Sequence, residues 1–150
     1  MSKLTATTFL TLDGVMQAPS SKALRGSLWA AQVAVFGLFC MAGFMKLTMS
    51  VAQIEKMWPW TGQVSEPVLR FIAVVDLAGG IGILLPALTR IRPQLTVLAA
   101  LGCTVLQVLA IGFHASRGEI ALTPFNFFLL ALCAFVLWGR YKKAPIPPRS

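Results

Sequence analysis

The order of apolar and polar positions divides the chain before any residue is weighed singly. Four runs are apolar almost throughout: Leu28–Met45, Phe71–Leu88, Leu95–Phe113 and Ala121–Gly139. Each approaches the roughly 20 helical residues that cross the hydrocarbon of a bilayer. None leaves a polar face broad enough to meet water, as a helix on a soluble domain must. The pattern predicts an all-α membrane protein, a four-transmembrane-helix bundle. Pro124 suits a first helical turn, so the fourth helix starts at or just before it. The first run is too long and too far along the chain for a cleaved signal peptide, and no small-residue cleavage site follows it. It reads as a retained helix.

Most connections are short. The segment between the second and third spans, TRIRPQ, makes those helices antiparallel neighbours. Thr48–Pro67 is longer. Within it Val51, Ile54 and Met57–Trp58 recur at helical spacing among Gln53, Glu55 and Lys56. A short amphipathic helix on the outer surface is expected, ended by Trp58-Pro59-Trp60. The terminal APIPPRS reads as a stiff tail without a core. At the other end Thr5–Leu12 is β-prone and Asp13-Gly14 is a turn signal. This lone strand has no sheet to join, so residues 1–26 are expected to be a disordered cytoplasmic tail. Residues 27–141 form the transmembrane domain and 142–150 a basic, Pro-rich tail.

Composition sharpens the class. Hydrophobic residues make up 57% and charged residues 12%, against about a quarter charged in a soluble domain. That excludes a soluble globular enzyme, a disordered tail protein and a free-standing nucleic-acid binder. The net charge of +8 arises from 13 Lys and Arg against 5 Asp and Glu. Nine of those 13 fall on one side of the spans: Lys3, Lys22, Arg25, Arg90, Arg92, Arg140, Lys142, Lys143 and Arg149. Only Lys46, Lys56, Arg70 and Arg117 fall on the other. The positive-inside bias then places both termini in the cytoplasm, for a multi-pass protein of a bacterial-type inner membrane. Trp29, Trp138 and Tyr141 mark the inner boundary, and Trp58 and Trp60 the outer one.

Candidate chemistry is sparse. Asp76 is the acidic residue inside a span, five residues from Phe71 and so roughly 8 Å deep at the rise of an α-helix. A carboxylate at the centre of a span costs about 2.5–3.5 kcal/mol, and somewhat less at this depth. Two arrangements relieve that cost. Asp76 pairs with Lys46, near the outer end of the first span, or it stays protonated and bonds to Gln107 or Asn126. Lys46 can equally reach up to the interface. Cys103, Gln107 and His114 share one stripe of the third span, and Asn126 and Cys133 one face of the fourth. Turned inward with Cys40, they would line a small, partly polar cavity opening outward, where a small ligand or quinone head could enter. Each thiol is otherwise a small apolar packer. His114 either faces water or relays protons. Arg140-Tyr141-Lys142-Lys143 either sets topology or also touches anionic head groups. No Cys-x-x-Cys, phosphate loop, nucleophile elbow or metal-ligand spacing appears. No metal and no evident cofactor is expected.

Five stretches carry a resemblance: FGLFCMAGFMKL, VVDLAGGIGILLP, the basic loop before the third span, FHASRGE after it, and PFNFFLLAL. Through them residues 30–141 resemble the DoxX-like family of small four-helix membrane proteins. The resemblance implies a four-helix bundle. Some relatives are tied to thiol or sulfur oxidation at the quinone pool, others to redox stress or to chaperoning of membrane partners. Many relatives carry Glu where this chain has Asp76, whose shorter side chain changes the reach of any charge pair. Residues 1–19 are similar to the first strand and turn of dihydrofolate-reductase-like and riboflavin-biosynthesis reductase domains, without the sheet that strand would join. The expected role is an accessory or structural subunit of a larger, redox-related membrane assembly. Its partners would be membrane lipids and other membrane subunits, with no nucleic acid. The alternatives are a quinone- or thiol-linked oxidoreductase subunit and a small-solute or proton carrier.

Overall fold

The computed structural model describes residues 20–150. The reading of residues 1–19 as a lone strand lies outside them. Among the described residues five α-helices follow in chain order: α1 Lys22–Thr48, α2 Val51–Glu55, α3 Glu66–Thr89, α4 Gln94–Ser116 and α5 Pro124–Trp138. Short 3-10 turns cover Pro59–Gln63 and Ile120–Leu122, and a π turn over Gly139–Lys143 continues α5. Among the described residues, four helices are long and apolar enough to cross a membrane: α1, α3, α4, and α5 taken with its π turn. They form a ring, α1 against α3, α3 against α4, α4 against α5 and α5 back against α1, with the α1–α3 contact the most extensive.

The buried positions repeat every three or four residues. On α1 they are Leu28, Ala31, Gln32, Val35, Phe39, Gly43 and Lys46, and on α4 Thr96, Ala100, Cys103, Gln107 and His114. Such a stripe keeps one narrow seam facing the neighbours. Small and polar side chains share the seam with Leu28, Val35, Phe39 and Ile83, while many other large apolar side chains point outward. Phe71 is 67% exposed and Leu98 62%. Water would not tolerate this arrangement over four helices; lipid does.

Small residues let the backbones close up. A Cβ on Gly43 would lie 2.8 Å from the Ala73 carbonyl oxygen, so any larger residue would push α1 from α3. On α3, Gly79 and Gly80 do the same for side chains: an added Cβ would lie 2.7 Å from Cys103 Sγ and 2.8 Å from Cys40 Sγ, respectively.

The helices extend past the apolar runs wherever the ends find partners. Ser21 accepts a bond from the Leu24 amide at 3.1 Å and starts α1 six residues before the first run and inside the expected tail. Arg90, in the left-handed region at φ 59°, ends α3. α5 begins at Pro124 and not at Ala121, which belongs to the preceding 3-10 turn. The outer surface helix is shorter than its apolar spacing suggested. Ser50 and Gln53 form a capping box, but the helix stops at Glu55, and Met57 is left 52% exposed. Ile54 alone from that stripe is fully buried.

The Pro-rich tail is held. Prolines donate no N–H but leave their carbonyls free to accept. Arg90 Nε donates to the Pro147 oxygen at 3.0 Å, and the Arg149 amide donates back to the Arg90 oxygen at 2.9 Å. The tail therefore crosses the loop between α3 and α4.

Candidate functional site

Two polar groups meet near the Lys46 end of the bundle. Lys46, in the last turn of α1, and Asp76, three turns into α3, both point into the α1–α3 seam. Lys46 Nζ lies 2.5 Å from Asp76 Oδ2, and the two residues are only 8% and 5% exposed. Of the arrangements open to Asp76, the structure contains the ion pair. Lys46 does not reach up to the interface. In a low-dielectric seam the charges lose hydration together and retain each other.

The segment between α1 and α3 roofs the pair. Lys46 Nζ is 5.4 Å from the Trp58 ring centre and 5.6 Å from that of Trp60. An ammonium over an indole face is stabilised by the ring quadrupole, most of all where water is thin. Sequence placed these tryptophans in an interfacial belt. The turn at Pro59 brings both over the lysine, and both are half-buried. Arg70 fixes the end of α1. Its NH1 donates to the carbonyls of Lys46 and of Met49, the latter at 3.0 Å, and its NH2 to Glu66 at 2.7 Å. Those carbonyls belong to the last turn of a helix, where oxygens lack intrahelical donors.

Trp60 connects this pair to a second one. Its ring stands edge-on to His114, 6.4 Å between centres. His114 is 6% exposed and does not face water. His114 Nδ1 lies 3.0 Å from Glu119 Oε2, and Arg117 Nε donates to Glu119 Oε1 at 3.2 Å. An ionised carboxylate only accepts, so Nδ1 carries the proton. The hydrogen bond from His114, followed by Arg117, holds the Glu119 carboxyl below its usual range. Glu119 was not among the residues singled out from sequence. The only signal was its position five residues after His114, within the FHASRGE stretch.

Gln107 and Asn126 do not reach Asp76. They bond to each other, Asn126 Nδ2 donating to Gln107 Oε1 at 3.0 Å, and tie α4 to α5. The thiols lie deeper. Cys103 is 2% exposed and Cys133 fully buried, side by side in the core, and Cys40 is half-buried. All three are free. The proposed cavity residues thus resolve into three separate pairings and a thiol group. Two recesses lie at the opposite end of the bundle, both lined by Arg140, Tyr141 and Pro145. Among the described residues no three His, Cys, Asp or Glu side chains converge as metal ligands.

That opposite end holds a network that sequence did not suggest. Gln32 Nε2 donates to the Ile83 oxygen at 2.7 Å, and Arg140 Nε donates to Gln32 Oε1 at 2.7 Å. Gln32 is hidden inside an apolar run, and Arg140 belongs to the basic cluster expected to set topology or to touch anionic head groups. It is 5% exposed.

A model of the DoxX-like family matches residues 30–136. It runs from α1 through most of α5 and includes Lys46, Asp76, His114 and Glu119. Residues 1–19 fall outside it. No curated protein and no solved structure matches the chain.

Two outcomes are expected. Asp76→Asn and Lys46→Met should each destabilise the detergent-solubilised protein by about 3–5 kcal/mol, and the double variant should recover much of the loss, because only the single changes strand a buried charge. A thermal double-mutant cycle measures the coupling, and a value of zero would dissolve the pair. Glu119 has its carboxyl lowered on folding, so its contribution is complete above about pH 4.5, the unfolded value, and is lost as pH falls through the folded one. Melting curves between neutral and acid pH should therefore show a steeper loss for the wild type than for Glu119→Gln.

Proposed function

The chain belongs to the DoxX-like family, and we propose that it serves as an accessory, structural subunit of a larger redox-related membrane assembly. One observation carries the reading. The polar side chains that a catalytic or transport site would use are consumed in pairs that join one helix to the next: Lys46 with Asp76, Gln107 with Asn126, and Gln32 with Arg140. Such pairs act as pins between helices, since a polar group in lipid that loses its partner has no water to turn to. The outward faces are apolar and aromatic, with Phe125, Phe127 and Phe128 exposed together at the start of α5. Another membrane subunit, or lipid, would cover them.

A second reading rests on the thiols. Cys103 and Cys133 lie next to each other on α4 and α5. Joined as a disulfide they would release two protons and two electrons, which a quinone would accept to become a quinol. In this reading the protein is a quinone- or thiol-linked subunit.

The orientation belongs to the proposal too. The Arg140 end faces the cytoplasm of a bacterial-type inner membrane, in keeping with the short basic loops gathered there.

Mild-detergent extraction from native membranes should yield the protein in fixed stoichiometry with larger membrane proteins. Elution as the chain alone, together with reduction of a quinone analogue that Cys103→Ser abolishes, would replace the first reading by the second. Topology is checked in a cysteine-free background with single cysteines introduced as Lys56→Cys and Ser150→Cys. An impermeant thiol reagent should label whole cells at position 56 and not at 150, and the reverse pattern would invert the orientation.

A further inference from the structure

The formal charge of the molecule is divided unevenly between its two ends. At the Lys46 end, Lys46, Lys56, Arg70 and Arg117 are matched by Glu55, Glu66, Asp76 and Glu119. At the Arg140 end, Lys22, Arg25, Arg90, Arg92, Arg140, Lys142, Lys143 and Arg149 face no acidic side chain among the described residues. The net +8 of the chain therefore resides there.

Arg140 is where this imbalance is least comfortable. It enters the bundle through the π turn. Gly139 allows that entry, because a Cβ on it would lie 2.3 Å from Leu28 Cδ2. The turn closes with the Ala144 amide on the Gly139 oxygen at 2.7 Å, and it carries Arg140 inward while Tyr141 stays 66% exposed. Inside, Arg140 Nε binds Gln32, NH1 donates to the Ala144 oxygen at 3.2 Å, and the guanidinium lies 4.9 Å from the Trp29 ring centre. All of these partners are neutral. NH2 is buried with no partner among the described residues. A buried guanidinium without an anion, and with an unused donor, is a costly arrangement unless a charge arrives from outside.

The recess beside it has the matching shape. It measures about 980 Å3, and Arg25, Arg90, Arg140, Lys142 and Lys143 contribute to its walls. Trp29, Ala87 and Leu88 form an apolar side, and Leu88 continues outward as an exposed residue of α3. Cationic walls beside an apolar flank at the end of a membrane span suit a phosphate with acyl chains attached better than a free ion. We propose that this recess binds an anionic phospholipid, with the headgroup phosphodiester held by Arg140 and Arg25 and the acyl chains laid along Trp29 and Leu88.

The test uses the delipidated full chain in neutral detergent. Phosphatidylglycerol, phosphatidylcholine and inorganic phosphate are titrated separately, with melting temperature and native mass spectrometry as readouts. Phosphatidylglycerol should bind with defined stoichiometry and raise the melting temperature, as any ligand selective for the folded state does. Phosphatidylcholine should do neither, and Arg25→Gln should weaken phosphatidylglycerol by about tenfold, the loss of one charged hydrogen bond. Arg140→Gln should abolish binding. Should that variant not fold, Arg25→Gln still decides. Equal response to both lipids, or undiminished binding by Arg25→Gln, overturns the proposal. A full shift from inorganic phosphate alone would make this a free-anion site. Binding that appears only after deletion of residues 2–19 would make Asp13 or its neighbours the natural occupant. Either result also overturns the lipid assignment.

Discussion

Lys46 and Asp76 neutralise each other at a depth where either charge alone would have to escape or be lost, and the contact fixes the register of α1 on α3. Much else follows from that register. Gly43 reaches the α3 backbone between the two charged levels, and Gly80 meets Cys40 below them. At the far end of the same seam Gln32 accepts from Arg140 and donates to the Ile83 carbonyl, so the two helices are bonded near both of their ends. A slip of one turn along α1 would break the ion pair and the Gln32 bond together. Dispersion between small residues gives such a seam closeness but little discrimination among registers, and the directional polar contacts supply it.

The Lys46 end is organised around that pair. The chain leaving α1 must cover a charge that sits just inside the apolar layer, and it does so with a capped single-turn helix and a Pro-broken turn carrying two tryptophans. Trp60 then touches His114 on α4, whose partner Glu119 follows in the next loop. Non-adjacent helices are thereby linked through one indole.

The parts legible in the sequence were those governed by a single segment. Apolar runs long enough to cross lipid, the proline that starts α5, and a lone carboxylate with a lysine at comparable depth can each be seen without knowing the packing. Helix ends were harder. The turns Lys22–Ser27 and Glu66–Arg70 are polar because they emerge from lipid, and hydropathy drops there although hydrogen bonding does not. The site at Glu119 depends on a loop that folds back, and periodicity is silent about loops. The contact of Gln32 with Arg140 spans 108 positions. It needs both the rotation of α1 and a π turn that shifts the face of α5, and neither is written in the spacing of apolar residues. The spacing of apolar residues says nothing of where Trp58 and Trp60 point, because their approach to Lys46 follows from the turn at Pro59.

The uneven division of charge has an electrical consequence. Among the described residues the net charge of +8 is carried at the Arg140 end of the bundle. In the orientation proposed above, with the Arg140 end cytoplasmic, a resting potential of 100 mV acts on each elementary charge carried across the membrane with about 2.3 kcal/mol, so turning the molecule over would require on the order of 18 kcal/mol before any desolvation. In that orientation the membrane potential would oppose any reversal of the inserted molecule.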